Sequence, residues 1–305
     1  MKIFPPRSVL AAVDLSAPSV SALEAAKRLA KEWRSTLEVV HIEDMPAGSG
    51  AALLPSRAPH WWPWADYHRW REDKLRKLVA DFPAARLRIR AIPGWPPAAL
   101  ADLARAKRAD LVVMGTHGFA GLDRALFGSL AEAVIRRARV PVLAVHRRTS
   151  AFRVRRVLAP WNGRPYAGAA LRVAADWAKS LGARLDVLFV APPWAEEKDL
   201  EPRLRRRLKS VLGRRSSPRW DLRLLRGDSR DVVLREASPG RCDLVVLSAH
   251  RRRVAADFVL GSTVERVLRH CRVPVLAVPS TAARRPPSEA LAVEGWLGGR
   301  SSYIL

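Results

Sequence analysis

The sequence contains one pattern twice, and this internal repeat limits the folds that the chain can adopt. The segment Asp-Leu-Val-Val occurs at residues 110–113 and again at 243–246. The segment Arg-Val-Pro-Val-Leu-Ala-Val occurs at 139–145 and again at 272–278. A repeat of this period indicates two copies of one folding unit, each long enough to bury a core of its own.

The repeat predicts the organisation of the chain into domains. We expect one domain at residues 1–148 and a second at 149–280, because both copies have the length of an ordinary domain. Residues 281–305 contain one proline pair, Pro286-Pro287, and one glycine pair, Gly298-Gly299, but little apolar patterning. This composition indicates a loosely held tail.

Within both predicted domains, short apolar segments alternate with helical patterns. Apolar segments without polar alternation are typical of strands in a parallel sheet that helices cover on both faces. We therefore predict an α/β fold in which each domain is a doubly wound parallel five-stranded sheet. The first helix is expected to begin near Ser16 and Pro18 and to carry a capping box at Ser21 and Glu24. The predicted strands are residues 9–13, 37–42, 87–92, 111–114 and 140–145, and then 157–159, 185–190, 222–225, 244–247 and 273–278.

The fourth strand of the first domain leads into a segment with regularly placed glycines. Gly115, Gly118 and Gly128 follow the apolar residues 111–114, and Ser129 comes directly after the last glycine. Glycine lets backbone amides approach an anion closely, and a serine at the start of a helix adds a hydroxyl where helix N-terminal amides converge. The spacing predicts a phosphate-binding loop between a strand and a helix.

This strand–loop–helix element resembles the universal stress protein family, as do Asp14 after the first strand and the terminal strand Val-Pro-Val-Leu-Ala-Val. The resemblance covers about residues 6–146 and 153–279, in tandem. It implies strand order 3-2-1-4-5, with ATP, with or without Mg²⁺, at the switch point between strands 1 and 4, where doubly wound sheets bind ligands. Asp14 and Ile42 would then flank the adenosine. The residues that would line the phosphate loop are Met114, Gly115, His117, Gly118, Gly128, Ser129 and Leu130.

The second copy keeps only part of this pattern. Ser248 and Arg251 replace the first two glycines, and Asn162 replaces the aspartate, whereas Gly261 and Ser262 are retained. An arginine can pair with phosphate, but a bulky side chain at a glycine position also closes a loop against a ligand. We therefore expect the first domain to bind nucleotide and the second to support it.

No combination of residues in the sequence indicates catalysis or metal binding. His117 and His250 have no second histidine or carboxylate at the spacing of metal ligands. Ser129 lacks a Gly-x-Ser-x-Gly context, and the glycine segment lacks a Walker lysine. Asp14 could simply cap the helix that follows it, but the adjacent loop pattern favours a contact with adenosine. We predict no catalytic residue, no metal site and at most slow ATP hydrolysis, while the tryptophans within residues 61–70 form a contact surface, a lid or a core plug.

The chain carries a formal net charge of +25, and most of its basic residues are arginines. Such a charge attracts polyanions, including nucleic acids and anionic membrane surfaces. The densest basic runs are residues 203–207, 214–215 and 251–253. No nucleic-acid recognition motif accompanies them, and an arginine-rich composition also arises from a GC-rich genome. We expect non-specific polyanion affinity that falls steeply with salt, and no specific nucleic-acid partner.

The cysteine content and the hydropathy of the sequence indicate the cellular compartment in which we expect the protein. Cys242 and Cys271 are too few for a disulfide framework or a zinc cluster, and two free thiols fit a reducing compartment. No segment approaches the ~18 apolar residues of a membrane span, and the N-terminus lacks a signal peptide's apolar segment. We expect a cytoplasmic protein without membrane insertion.

The last strand of each half is apolar and has a proline at its second position, Pro141 and Pro274, as edge strands tolerate. An unpaired apolar edge favours association, so we expect the halves to pair within one chain as a pseudo-two-fold dimer; a homodimer of two chains is not required.

The expected function is that of an ATP-binding universal stress protein acting in stress response or signalling. The alternatives are a nucleotide-independent structural or adaptor protein with both sites vestigial, and a non-specific polyanion-binding protein.

Overall fold

The computed structural model describes residues 4–44, 64–116, 129–146, 152–192, 200–213, 219–254 and 257–280. The chain divides into two compact units, residues 1–152 and residues 153–305. Among the helices in these ranges, none is both long enough and apolar enough to cross a bilayer.

The first unit is a parallel sheet whose strands are joined by helices. Its strands lie side by side in the order β3-β2-β1-β4-β5, and the pairs β1–β2, β1–β4, β2–β3 and β4–β5 are all parallel. This confirms the predicted α/β class and the order 3-2-1-4-5. The elements are β1 (Ser8–Ala12), α1 (Ala17–Glu32), β2 (Thr36–Asp44), α2 (Trp64–Leu78), β3 (Leu87–Gly94), α3 (Pro96–Ala106), β4 (Leu111–Gly115), α4 (Ser129–Arg137) and β5 (Val142–Val145).

The core of the first unit lies around its central strands. All four residues of β5 and the first four of β4 are buried, so side chains on both faces of these strands are covered. Helix α1 packs on β1, β4 and β5, while α3 and α4 pack against each other. Burial on both faces explains why these strands are unbroken apolar segments.

The second unit repeats the same five parallel strands, in the order β8-β7-β6-β9-β11. One part differs from the prediction: β9 continues to Val254 and pairs antiparallel with a short added strand, with Leu260 opposite Arg251. Side chains replace the glycines there, and the extended backbone forms a hairpin. The elements are β6 (Arg156–Pro160), α5 (Gly168–Ser180), β7 (Arg184–Ala191), α6 (Leu200–Leu212), β8 (Trp220–Arg226), α7 (Ser229–Glu236), β9 (Leu244–Val254), β10 (Asp257–Leu260), α8 (Ser262–His270) and β11 (Val275–Ser280).

Helix α1 begins where the sequence predicts, but its predicted capping box does not form. Ser16 is the N-cap and its hydroxyl accepts a hydrogen bond from the Ser19 amide. Ser21 lies one turn inside the helix, where its Oγ donates to the Ala17 carbonyl oxygen at 3.1 Å. Glu24 instead forms an ion pair with Lys27. Because Pro18 and Ser16 already define the first turn, the helix starts before the Ser21–Glu24 pattern.

A buried lysine connects α1 to the segment after α2. Lys27 is 6% exposed, and its ammonium group lies 2.8 Å from a Glu24 oxygen and 2.6 Å from an Asp81 oxygen. Lys31 also pairs with Asp81, at 2.8 Å. Hydrogen bonds from Lys27 and Lys31 lower the pKa of Asp81 to about 2.

This ion pair predicts a pH-dependent contribution to stability. We expect Asp81→Asn to lower the free energy of unfolding at pH 7 by about 1 kcal/mol, a small value because the Asp81 side chain is largely exposed. The pKa of Asp81 is lower in the folded protein than its ordinary value of 3.8. Its stabilisation is therefore present above about pH 4 and disappears as the pH falls through about 2. Urea unfolding of both proteins across this range checks it; a difference that stays constant down to pH 2 would contradict it.

Candidate functional site

The predicted adenosine residues lie at one edge of the first sheet, where the carboxyl ends of parallel strands meet. Strand β1 pairs with both β2 and β4, so that Ala12 lies opposite Val40 on one side and Met114 on the other. Asp14 follows β1, Ile42 lies near the end of β2, and Gly115 ends β4. The chain order reverses at this place, which is where open α/β sheets bind ligands.

The predicted phosphate-loop residues are only partly within the described ranges. Ser129 is the first residue of α4, as the sequence predicts, and Leu130 follows it with its side chain partly buried. His117, Gly118 and Gly128 lie outside the described residues, as do Trp61, Trp62 and the rest of residues 45–63. The role of these residues stays a prediction.

Asp14 is held in a defined orientation by the turn that leads into α1. Its Oδ1 accepts hydrogen bonds from the Ser16 amide, at 2.9 Å, and from the Ser16 hydroxyl. The Asp14 amide donates to Ser19 Oγ at 3.3 Å. Among the described residues, no hydrogen bond reaches the other carboxylate oxygen, Oδ2. Asp14 therefore uses only Oδ1 in the turn before α1. Its second oxygen, Oδ2, remains available as a hydrogen-bond acceptor.

The turn after Asp14 carries backbone strain. Leu15 has φ 67°, in the left-handed region that costs a non-glycine residue roughly 1–2 kcal/mol. The second unit makes the same turn with Gly163, at φ 76°. The first unit thus has a strained backbone at Leu15, next to the Asp14 carboxylate. The second unit has glycine, which adopts this conformation without strain.

Gly115 allows β4 to approach the start of α1. A Cβ at this position would lie 3.0 Å from the Pro18 carbonyl carbon and 3.0 Å from the Ser19 amide nitrogen. Both are backbone atoms with little freedom to move. This contact by itself favours glycine at 115, and it brings the end of β4 next to the positive end of the α1 dipole.

The two apolar residues predicted for the site, Met114 and Ile42, differ in how far their side chains are buried. Met114 is 2% exposed, so its side chain belongs to the core beneath the edge, whereas Ile42 remains partly exposed. Ile42 therefore offers an apolar contact at the end of β2. Met114 contributes to the edge mainly through its backbone.

Two polar residues of this edge have no sequence motif that would reveal them. Buried Thr116, directly after β4, has its hydroxyl 3.2 Å from His146 Nδ1. Buried His41 donates from Nδ1 to the Val13 carbonyl oxygen, at 2.7 Å. Both contacts tie the ends of neighbouring strands together, and only their positions at strand ends could have indicated them.

The corresponding edge of the second unit is filled by its own side chains. The rings of Tyr166 and His250 stack with centroids 4.1 Å apart and an interplanar angle of 13°. Asn162 Nδ2 donates to the Tyr166 hydroxyl at 2.7 Å, and His250 Nδ1 lies 2.9 Å from Ser280 Oγ. These contacts connect the segment after β6 with the middle of β9 and the last residue of β11.

Two further differences distinguish the second edge from the first. Trp161, 3% exposed, occupies the position that Val13 has in the first unit, and its ring meets Phe189 edge-on at 6.2 Å. Ser248 stands at the position that Gly115 has in the first unit. The chain facing it forms a short 3-10 turn (Pro165–Ala167) before α5, and Ser248 Oγ donates to the Tyr166 carbonyl oxygen. The second edge thus carries larger side chains than the first at these two positions.

The two cysteines have no features of a reactive site. Cys242 and Cys271 are buried free thiols. Burial raises the pKa of Cys271 to about 11 and raises that of Cys242 further. Thiolates are therefore scarce at neutral pH. Within the described ranges, no three histidine, cysteine or carboxylate side chains are grouped closely enough to hold a metal ion.

The geometry defines a class of protein with two tandem, doubly wound α/β domains, the first of which has polar groups at the carboxyl ends of its strands. Comparisons with known proteins agree. Residues 6–146 and 153–279 each match the model of the universal stress protein family. The chain therefore belongs to the universal stress protein family and contains two of its domains.

Individual relatives resemble one half or most of the chain. A universal stress protein of Mycobacterium bovis is 28% identical over 268 residues, which are 79% of this chain and 86% of that protein. One from Methanocaldococcus jannaschii is 30% identical over 142 residues, or 46% of this chain and 81% of that protein. The crystal structure of a universal stress protein from Archaeoglobus fulgidus shares the fold, with a TM-score of 0.69 at 21% identity, covering 90% of this chain and 99% of that one.

Proposed function

We propose that the first domain binds ATP at the edge between β1 and β4, and that the protein acts as a nucleotide-dependent module of a cytoplasmic stress response. The observation that carries the proposal is the oriented carboxylate of Asp14: Ser16 holds Oδ1, and Oδ2 accepts no hydrogen bond from any described residue. The second domain fills the equivalent space with Tyr166 and His250. The binding function therefore belongs to the first domain.

Each described residue of the edge has a simple task in this proposal. Asp14 Oδ2 accepts a hydrogen bond from a ribose hydroxyl or from the exocyclic amine of the base, since a carboxylate is an acceptor only. Ile42 offers the apolar contact that an adenine ring needs. The positive end of α1, next to Gly115, favours the negative charge of the phosphates.

Hydrolysis plays at most a minor part in this proposal. Around the described edge, the histidines near the strand ends are engaged with a carbonyl or a hydroxyl, as His41 with Val13 and His146 with Thr116. A general base for ATP hydrolysis needs a side chain that orients the attacking water. Among the described residues of this edge, the Asp14 carboxylate is assigned to the nucleoside, and no other side chain is placed to orient a water. We therefore propose that nucleotide binding, rather than hydrolysis, is the signal.

The test is the number of nucleotides that the full chain binds. We expect native mass spectrometry of the purified protein to show one adenine nucleotide per chain, and calorimetry with ATP, with and without Mg²⁺, to give a stoichiometry of one. Asp14→Ala should weaken binding by about tenfold or more, the effect of one lost hydrogen bond to a charged group. The matched control, Asn162→Ala in the second domain, should leave ATP affinity unchanged. Two nucleotides per chain, or none, would contradict the proposal.

A further inference from the structure

Helix α6 carries basic residues that the proposed nucleotide site does not use. It has five basic residues, Arg203, Arg205, Arg206, Arg207 and Lys209, and a single acidic one, Glu201. Its four leucines, at 200, 204, 208 and 212, are all buried against the second unit. The helix is thus fixed by one apolar stripe, and its cations are placed on the remaining faces.

Among the described residues, the acidic groups on α6 and on the neighbouring strand β8 are already engaged. Glu201 pairs with Arg205 at 2.7 Å, and Asp221 on β8 pairs with Arg184 and Arg205. Arg206, Arg207 and Lys209 form no ion pair with any residue in the described part of the chain. Arg206 and Lys209 are exposed, and Arg207 is partly buried. The positive charge of these three side chains is therefore not balanced by any ion pair within the described ranges.

A further cation from the neighbouring helix adds to this surface. At Gly168, where α5 begins, a Cβ would lie 3.5 Å from the Arg172 guanidinium and 3.6 Å from Val211 Cγ1 of α6. The guanidinium therefore lies at the junction between the two helices. Arg172 is exposed, like Arg206 and Lys209. We call Arg172, Arg203, Arg206, Arg207 and Lys209 the α6 basic face.

Helix α2 of the first unit shows why this face is distinctive in a chain that is basic throughout. It also has five basic residues, but three acidic ones, Asp66, Glu72 and Asp73, are interspersed among them. Arg76, for example, pairs with Glu72. The two helices have equal numbers of basic residues. The additional acidic residues of α2 give it a surface of mixed charge, whereas the surface of α6 is mainly positive. Composition alone would not produce this asymmetry.

We propose that the α6 basic face binds the phosphodiester backbone of nucleic acid without reading its sequence. Cations on a helix face recur about every 5.4 Å along the axis, once per turn, and one strand of duplex DNA carries a charge about every 3.4 Å. Several phosphates can therefore contact the face at once. A membrane fits less well, because an interfacial helix needs apolar side chains on its outward face, and the leucines of α6 point into the protein.

The test uses the full-length protein and fluorescent 20-base-pair duplexes of two unrelated sequences. We expect the wild-type protein to bind both alike, with log affinity falling against log salt with a slope of about −3, as three or four neutralised phosphates give. The triple change Arg206→Gln, Arg207→Gln and Lys209→Gln should weaken binding by about tenfold or more and flatten the slope by up to about 3.

A matched control separates this face from the charge of the whole chain. Arg69→Gln, Lys74→Gln and Lys77→Gln remove the same charge from exposed positions on α2, and should change affinity only slightly. Equal losses in both variants would overturn the proposal, as would an unchanged α6 variant or a preference for one duplex. Vesicles of phosphatidylserine and phosphatidylcholine give the last comparison: tighter binding to vesicles than to duplex, lost in the α6 variant, would assign the face to membranes and contradict the proposal. Circular dichroism establishes that both variants are folded.

Discussion

Replacing Gly118 by arginine is expected to abolish ATP binding by the full chain. The substitution installs in the first domain the residue that the second domain has at the equivalent position, Arg251. In the second domain this segment is an extended strand that pairs with β10, with Leu260 opposite Arg251. A side chain at 118 would occupy the space that the phosphates need in the proposed loop. Calorimetry with ATP and Mg²⁺ on the wild-type protein and the variant measures the loss.

The control for this experiment is the same change at a glycine of the second domain. A Cβ at Gly261, which precedes α8, would have no atom within 4 Å. Gly261→Arg should therefore fold normally and bind ATP as the wild type does. If Gly118→Arg binds ATP with unchanged affinity while remaining folded, the nucleotide site lies elsewhere in the chain.

Replacing Gly115 by serine is expected to destabilise the first domain by about 1–3 kcal/mol, the usual cost of overpacking. The new Cβ would lie 3.0 Å from backbone atoms of Pro18 and Ser19, so α1 or β4 must shift. The melting temperature should fall by roughly 2–4 °C for each kcal/mol in a domain of this size. Differential scanning calorimetry without nucleotide measures this, so the result does not depend on the proposed ligand.

The second domain provides the control for the Gly115→Ser experiment. The second domain has serine at the equivalent position, Ser248, where a 3-10 turn precedes the helix. Gly261→Ser is the control, since serine suits an N-cap and nothing lies near a Cβ there. We expect this control to change stability by less than about 0.5 kcal/mol, as ordinary surface substitutions do. A melting temperature unaffected by Gly115→Ser would mean that the close approach of β4 and α1 is not tight in solution.

The sequence predicts the fold well because its signals are local. Apolar segments such as residues 111–114 define buried strands, and Ser16 with Pro18 marks the start of α1. The parallel order also follows, since strands joined through helices cannot pair as simple hairpins. The added strand β10 was missed, because residues 251–260 lack the apolar alternation that marks most strands.

The site was less predictable, because its contacts join residues far apart in the chain. The stack of Tyr166 on His250 and the contact of Thr116 with His146 depend on which strand ends become neighbours. Gly115 shows a different limit: its spacing suggests a phosphate loop, but its close approach to the backbone of α1 is a second reason for glycine that the sequence does not reveal. The roles of Gly118, Gly128 and His117, the domain boundaries and the pairing of the two halves stay predictions.

The stack of Tyr166 on His250 has a thermodynamic consequence for a chain with two homologous domains. A ligand that binds only the folded form stabilises it by an amount that grows with ligand concentration, about 2.7 kcal/mol at one hundred times the dissociation constant. In the second domain, the group that fills the edge is covalently part of the chain and is present at every nucleotide concentration. Under the proposed function, the stability of that domain is therefore independent of the cell's energy supply, whereas the stability of the first domain rises and falls with it. A stress that depletes ATP would loosen one half of the molecule and leave the other as it was.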